Sequence, residues 1–197
     1  MIREPIHAES AEYLFSSVTD AVRFALRHSS LTYQRPSWHR MASSPSQKGA
    51  LLGGYEGAAQ AGMIRAEIAA IGLIGEAILV ADVAPRERPC DCKSPCCSGS
   101  VANPEWSSAL SLISNHLHVD HQLCGHYLNV RVALVKRFFG EDLELSHIAK
   151  RCGLNRDTVG THNAKVVKVL KTLVHQAWLD IDTRLMRTGL IEPEKVA

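Results

Sequence analysis

Residues 145 to 164, LSHIAKRCGLNRDTVGTHNA, restrict the possible fold more than any other part of the chain. Two short helices can cross at a tight turn where the first helix offers a small side chain and the turn contains a residue that tolerates a left-handed backbone. Ala149 and Gly153 meet these needs, and Asn155 is a suitable N-cap for the second helix. The apolar residues of the shared core are Val159, Ile148, Cys152 and Leu154. This pattern predicts a helix-turn-helix.

The rest of the chain is also predicted to be mostly α-helical. Apolar residues recur at helical spacing over residues 10 to 28, and an Ala- and Gly-rich run from 56 to 80 is predicted to be one buried helix. Pro104 stands at the first position of a further helix that extends to about His118. Beyond residue 126 the pattern is helical, with breaks at the glycines of positions 140 and 153. These elements predict a helical core.

The beginning of the chain and its most apolar stretch indicate where the protein resides. The first ten residues, MIREPIHAES, carry charges before any apolar run, which does not fit a secretory signal. Residues 58 to 84 contain four charged side chains, and charges spread in this way disfavour insertion into a membrane. We therefore expect a cytoplasmic protein with no membrane partner.

Four of the six cysteines lie within eight residues, at Cys90, Cys92, Cys96 and Cys97. In a reducing cytoplasm such a cluster is more often a metal site than a disulfide framework. Because thiolates bind zinc tetrahedrally, we expect a structural Zn²⁺ on this loop. A loop of thiols without metal is the alternative. The spacing leaves the fourth ligand open between a loop cysteine and the nearby residues His116, His118, His121, Cys124 and His126.

The segment His116-x-His118-x-Asp120-His121 matches the metal-binding motif of metallo-β-lactamase-like hydrolases. In those enzymes the motif follows a buried strand, and the metal activates a water molecule. Here a helix is predicted before the motif, and no series of short alternating strands precedes it. A metal-dependent hydrolase is therefore an alternative of another class, and we expect a protein that is not an enzyme.

The predicted second helix of the helix-turn-helix and the end of the first carry side chains that can contact phosphates and base edges in a major groove. These candidate DNA-binding residues are Lys150, Arg151, Arg156, Asp157, Thr158, Thr161, His162, Lys165 and Lys168. Residues 127 to 175 contain nine Lys and Arg against four Asp and Glu, a net charge of +5. Because the whole chain carries only +2, the remainder is −3. This asymmetry is typical of a nucleic-acid-binding module.

The helix predicted from Tyr127 to Phe139, the break at Gly140 and the segment IAKRCGLNRDTVGTHNAKVVKVL resemble region 4 of bacterial sigma factors and the related domain of lambdoid phage Q-type late-gene antitermination proteins. The resemblance covers residues 90 to 175. It implies a phage or prophage protein that binds double-stranded DNA near a late promoter and modifies RNA polymerase, paused there with its sigma factor, to read through terminators. The spacing of the four cysteines differs from the paired Cys-x-x-Cys of a zinc ribbon. An ordinary helix-turn-helix activator or repressor is the alternative within the same class.

These expectations divide the chain into three parts. Residues 1 to 89 form a helical N-terminal part whose basic loop, residues 29 to 54, includes Trp38. Residues 90 to 103 form the cysteine-rich zinc loop. Residues 104 to 197 form the helical DNA-binding part.

Overall fold

A computed structural model describes residues 15–32, 54–90, 92, 98–125 and 127–191. In these ranges the helices are α1 (Val18–Thr32), α2 (Gly54–Ala70), α3 (Leu73–Val83), α4 (Pro104–Val119), α5 (Leu128–Phe138), α6 (Leu145–Cys152) and α7 (Arg156–Arg187). A two-stranded antiparallel ribbon, β1 (Glu87–Pro89) and β2 (Ser100–Ala102), lies between α3 and α4. The prediction of a mostly α-helical protein is confirmed. No helix in the described ranges is long and apolar enough to cross a membrane.

Helix α3 lies at the centre of the core. Its five consecutive residues Ala77 to Ala81 are all buried, and the helix packs mainly against α4 and α7. Two tryptophans attach these neighbours to its end. Trp106 of α4 donates its indole N–H to the Ala81 carbonyl at 3.1 Å, and Trp178 of α7 donates to Asp82 Oδ2 at 3.0 Å. The tryptophans thus anchor α4 and α7 to the same end of α3.

A single arginine joins α1, α2 and α4. Arg65 of α2 contacts both carboxylate oxygens of Glu105, at 2.7 and 3.2 Å, and its Nε donates to the Ala25 carbonyl of α1 at 3.2 Å. Both charged side chains are about one-third exposed, 29% and 34%. Two parallel hydrogen bonds restrict the geometry of the pair more than a single contact would.

The start of α4 agrees with its prediction. Asn103 accepts a hydrogen bond from the backbone N–H of Glu105 at 3.1 Å, and Pro104 occupies the first helical position. The Asn103 amide also donates to the Pro85 carbonyl at 2.7 Å. One side chain thus caps α4 and holds the segment that follows α3.

Two predicted helices differ from the observed ones. The run from 56 to 80, predicted as one helix, is interrupted between α2 and α3 by Gly72, whose backbone angles are φ 92° and ψ 162°. Residues with a Cβ rarely adopt this conformation, so the glycine allows the chain to change direction. Helix α1 begins at Val18 and continues to Thr32, past the predicted end at residue 28. The remainder of the predicted basic loop up to residue 53, including Trp38, lies outside the described residues.

Helix α7 continues well beyond the helix-turn-helix segment 145 to 164, in agreement with the helical pattern predicted without a break after Gly153. It runs for 32 residues from the predicted DNA-binding segment into the core. One face is buried along its length, at Val159, Val166, Leu170, Ala177, Ile181 and Leu185. Near its end Arg184 Nε lies 2.8 Å from Glu67 Oε2 of α2. The segment predicted to contact DNA is therefore continuous with a core helix.

Candidate nucleic-acid interface

The turn between α6 and α7 has the geometry that the sequence predicted. Gly153 adopts a left-handed conformation, with φ 66° and ψ 30°, directly after the last residue of α6. The backbone N–H of Leu154 donates to the Ala149 carbonyl at 3.0 Å, which closes the helix end. Asn155 then caps α7, because its side-chain oxygen accepts the N–H of Asp157 at 2.9 Å. The predicted positions of the turn glycine and of the cap are confirmed.

The faces of α6 and α7 that point towards the core are apolar and buried. Ile148 and Ala149 are 3% and 4% exposed, and Val159 has no exposed surface. Leu154 and Cys152 are partly buried against the same core. Helix α6 also contacts α5. The orientation of α6 and α7 is therefore set by packing as well as by the turn.

The candidate DNA-binding side chains lie on the outer surface of this unit. All nine are exposed except His162, which is half-buried. The His162 ring lies 6.1 Å from the ring of Tyr127, centre to centre. The Thr161 hydroxyl donates to the Asp157 carbonyl at 3.0 Å. The predicted residues of α6 and α7 are thus largely accessible to a partner.

Three of the nine basic residues counted in this region are used within the protein. Arg131 is only 4% exposed and donates to the Gly125 carbonyl at 3.2 Å. Lys136 pairs with Glu141 at 3.2 Å, and Arg137 donates to the Leu143 carbonyl. Six exposed cations, which we call the basic face, form no ion pair with any described residue: Lys150, Arg151, Arg156, Lys165, Lys168 and Lys171. Their charges are available to an anionic partner.

A shallow depression lies beside the basic face and was not predicted. It has a volume of about 320 Å³ and is lined by Arg137, Glu144, Leu145, Ser146 and Arg156. Positions 137 and 156 are far apart in the sequence, yet both side chains line this depression. Only the fold brings them together, so no sequence signal could have identified the pair.

The cysteine-rich segment is held at both ends by the ribbon. Glu87 pairs with Ala102 and Pro89 with Ser100, and the N–H of Cys90 donates to the Gly99 carbonyl at 2.9 Å. Cys90 is partly buried and Cys92 is exposed, whereas Cys96 and Cys97 lie outside the described residues. Among the residues that are described, no group of three or more His, Cys, Asp or Glu side chains has the geometry of a metal site. The predicted four-cysteine zinc site is therefore untested.

The hydrolase-like motif lies at the end of α4 and in the turn that follows. His116 and His118 belong to the last turn of the helix, and Asp120 is its C-cap. The surroundings also differ from a hydrolase, because the described ranges contain one small ribbon and no sheet beside the motif. No observation in the described residues favours the hydrolase alternative.

In comparisons with known proteins, no protein-family model and no curated protein matches the chain.

Proposed function

We propose that this protein is a DNA-binding transcription regulator that contacts duplex DNA with α6 and the first turns of α7. The observation that carries the proposal is the basic face, whose six exposed cations lie on α6 and the first half of α7 and form no ion pair with a described residue, together with the capped turn between these two helices. Cations of this kind release counterions from DNA when they bind phosphates, which is the main source of affinity for a duplex.

The two ends of this surface have different roles in the proposal. Residues in the first turns of α7, from Arg156 to His162, enter the major groove and contact base edges. Lys165 and Lys168 lie further along the same helix, where they contact the phosphate backbone, as do Lys150 and Arg151 at the end of α6. The burial of Val159 and Ala149 holds the two sets in one orientation.

Within this class we propose a transcription antitermination factor that acts on bacterial RNA polymerase with its sigma factor. The support is the resemblance of residues 90 to 175 to Q-type proteins, together with the turn at Gly153 that the resemblance places between two helices. The test is transcription through a terminator from a template that contains the protein's DNA site. Read-through that requires both the protein and its site supports antitermination, whereas DNA binding without read-through identifies an ordinary activator or repressor.

We also propose that the cysteine-rich segment holds one structural Zn²⁺. The ribbon brings Cys90 close to the end of the segment, and thiolates are the ligands that structural zinc prefers. His116 lies about 20 Å along α4 from the end of the ribbon, by the rise of an α-helix. This separation favours a fourth ligand from the loop cysteines over one from His116, His118 or His121. The metal would stabilise a segment that has few apolar side chains.

The DNA-binding proposal is tested by substitutions at both ends of α7. Arg156→Ala and Lys165→Ala are each expected to weaken binding by roughly 1–3 kcal/mol if the side chain contacts bases. If the side chain contacts a phosphate instead, the slope of the logarithm of the binding constant against the logarithm of the salt concentration should become shallower by about one. Arg187→Ala is the matched control, because it removes the same charge from an exposed position at the far end of the same helix.

Fluorescence anisotropy measures these effects on a labelled duplex that has been selected from a random pool, over a series of salt concentrations. The proposal requires a loss at Arg156 and Lys165 and none at Arg187. Equal affinities and equal salt slopes for all three variants and the unmodified protein would show that α6 and α7 face something other than DNA.

A further inference from the structure

Arg131, near the start of α5, is a buried cation without an acidic partner among the described residues. Its side chain is only 4% exposed. Nη1 donates to the Gly125 carbonyl at 3.2 Å, whereas Nε is buried without a hydrogen-bond acceptor. No described Asp or Glu forms an ion pair with this guanidinium. Because an uncompensated buried charge costs free energy, this arginine indicates a place where a ligand can supply the missing negative charge.

The start of α5 is open to solvent and has no acidic group of its own. Leu128 and Asn129, the first residues of the helix, are exposed. The N-cap Tyr127 forms no side-chain hydrogen bond to the helix end, and the first turn contains no Asp or Glu. The first N–H groups of a helix have no intrahelical acceptor, and the helix dipole makes this end positive. An anion is therefore a suitable partner for the start of α5.

The guanidinium of Arg131 lies beside this open helix end. Gly125, whose carbonyl it contacts, comes two residues before the N-cap Tyr127. Side chains in an α-helix lean towards its N-terminus, which is the direction in which Gly125 lies from Arg131. The positive helix end and the unpaired guanidinium therefore favour negative charge in the same place.

Helix α7 brings a second cation to the same turn. Burial raises the pKa of the Cys124 thiol, and the charges of Arg131 and Lys165 both oppose this effect. Both cations therefore lie near the Cys124 side chain. The two helices also meet through Tyr127 and His162, whose rings are 6.1 Å apart, centre to centre. Since Lys165 forms no ion pair with a described residue, its charge is available to the same ligand.

We propose that the start of α5 binds one phosphate group, held by the N–H groups of Leu128 and Asn129 and by the side chains of Arg131 and Lys165. A guanidinium suits a phosphate because its planar fork matches the geometry of the oxygens. Lys165 also belongs to the basic face, so the site borders the surface proposed to contact DNA. A phosphate of the DNA backbone and free inorganic phosphate offer the same chemistry. The first source rests on the proposed function, whereas the second is independent of it.

The site is tested by titrating the full-length protein with inorganic phosphate, with chloride keeping the ionic strength constant, and following the amide signals of Leu128 and Asn129 by NMR. We expect these signals to shift until the site is saturated. Arg131→Met is expected to weaken phosphate binding about 10-fold, because a hydrogen bond to a charged group is lost. Lys165→Met should also weaken it, and the matched control Arg187→Met should leave it unchanged.

The unfolding temperature without phosphate separates binding from a structural role of Arg131. Methionine removes the uncompensated charge and keeps an apolar chain in place, so Arg131→Met should be at least as stable as the unmodified protein. A lower unfolding temperature together with unchanged phosphate binding would identify a structural residue and overturn the proposal. So would signals that do not respond to phosphate, or that respond equally in Lys165→Met. Lys165 is exposed, so its variant decides the outcome even if replacement of Arg131 disturbs folding.

Fluorescence anisotropy with the selected DNA duplex identifies the source of the phosphate. If it belongs to the DNA backbone, Arg131→Met lowers the affinity for DNA and makes the salt slope shallower by about one. Unchanged DNA binding together with weakened phosphate binding assigns the site to free phosphate. Because the NMR titration contains no DNA, its result stands whether or not the protein binds a duplex.

Discussion

Gly153 and Gly160 provide a test of the turn geometry, because replacing each with alanine is expected to change stability in opposite directions. A Cβ added at either position would meet no atom of the surrounding fold within 4 Å, so only the local backbone conformation distinguishes the two positions. Gly153 has φ 66°, where an L residue is disfavoured by about 1–2 kcal/mol, partly offset by the smaller backbone entropy of the unfolded alanine chain. The expected net effect of Gly153→Ala is a loss of about 1 kcal/mol.

Gly160 lies inside α7, where its backbone is helical. Alanine in a helix interior is more favourable than glycine by roughly 0.5–1 kcal/mol, so Gly160→Ala is expected to stabilise the protein. In a protein of this size a change of 1 kcal/mol shifts the melting temperature by about 2–4 °C. Thermal unfolding followed by circular dichroism therefore resolves the two signs. If Gly153→Ala stabilised the protein as Gly160→Ala does, the left-handed turn between α6 and α7 would be wrong.

Two further predictions concern the cysteines. The purified protein is expected to contain about one zinc, which the combined change Cys90→Ser and Cys92→Ser removes because two thiolate ligands are lost. Metal analysis that finds no zinc in the unmodified protein, or equal zinc in the double variant, contradicts this site. Burial raises the pKa of the Cys124 thiol above its ordinary value, although the charges of Arg131 and Lys165 act in the opposite direction. Cys124 is therefore expected to resist alkylation at neutral pH until the protein unfolds, as mass spectrometry of labelled peptides would show, and rapid labelling of the native protein would refute this.

The features that the sequence predicted well depend on interactions between residues close together in the chain. The start of α4 was predicted from Pro104 alone, and the structure places this proline at the first helical position. The turn at Gly153 depends on one left-handed residue and on a cap that follows it directly. Such signals appear in a short segment and need no knowledge of the rest of the fold.

The features that the sequence did not predict depend on distant contacts. The Ala- and Gly-rich pattern continues on both sides of Gly72, so periodicity gave no sign that α2 and α3 separate there. Strands β1 and β2 are three residues each and mostly exposed, and thus lack the alternation that identifies a strand. The burial of Arg131, one of the nine basic residues counted between positions 127 and 175, follows from packing around α5.

The continuity of α7 has a consequence for the arrangement of sites along the DNA. By the rise of an α-helix its 32 residues extend about 48 Å, from the proposed groove contact at Arg156 to core contacts near Arg184. In the proposed function, a polymerase bound near the far end would therefore keep one distance and one rotational angle relative to the bases that α7 is proposed to contact. The duplex makes one helical turn about every 10.5 base pairs. Moving the DNA element by about five base pairs would therefore turn it to the face of the duplex opposite the polymerase. Read-through of the terminator should then fall, and moving the element by a full helical turn should restore it.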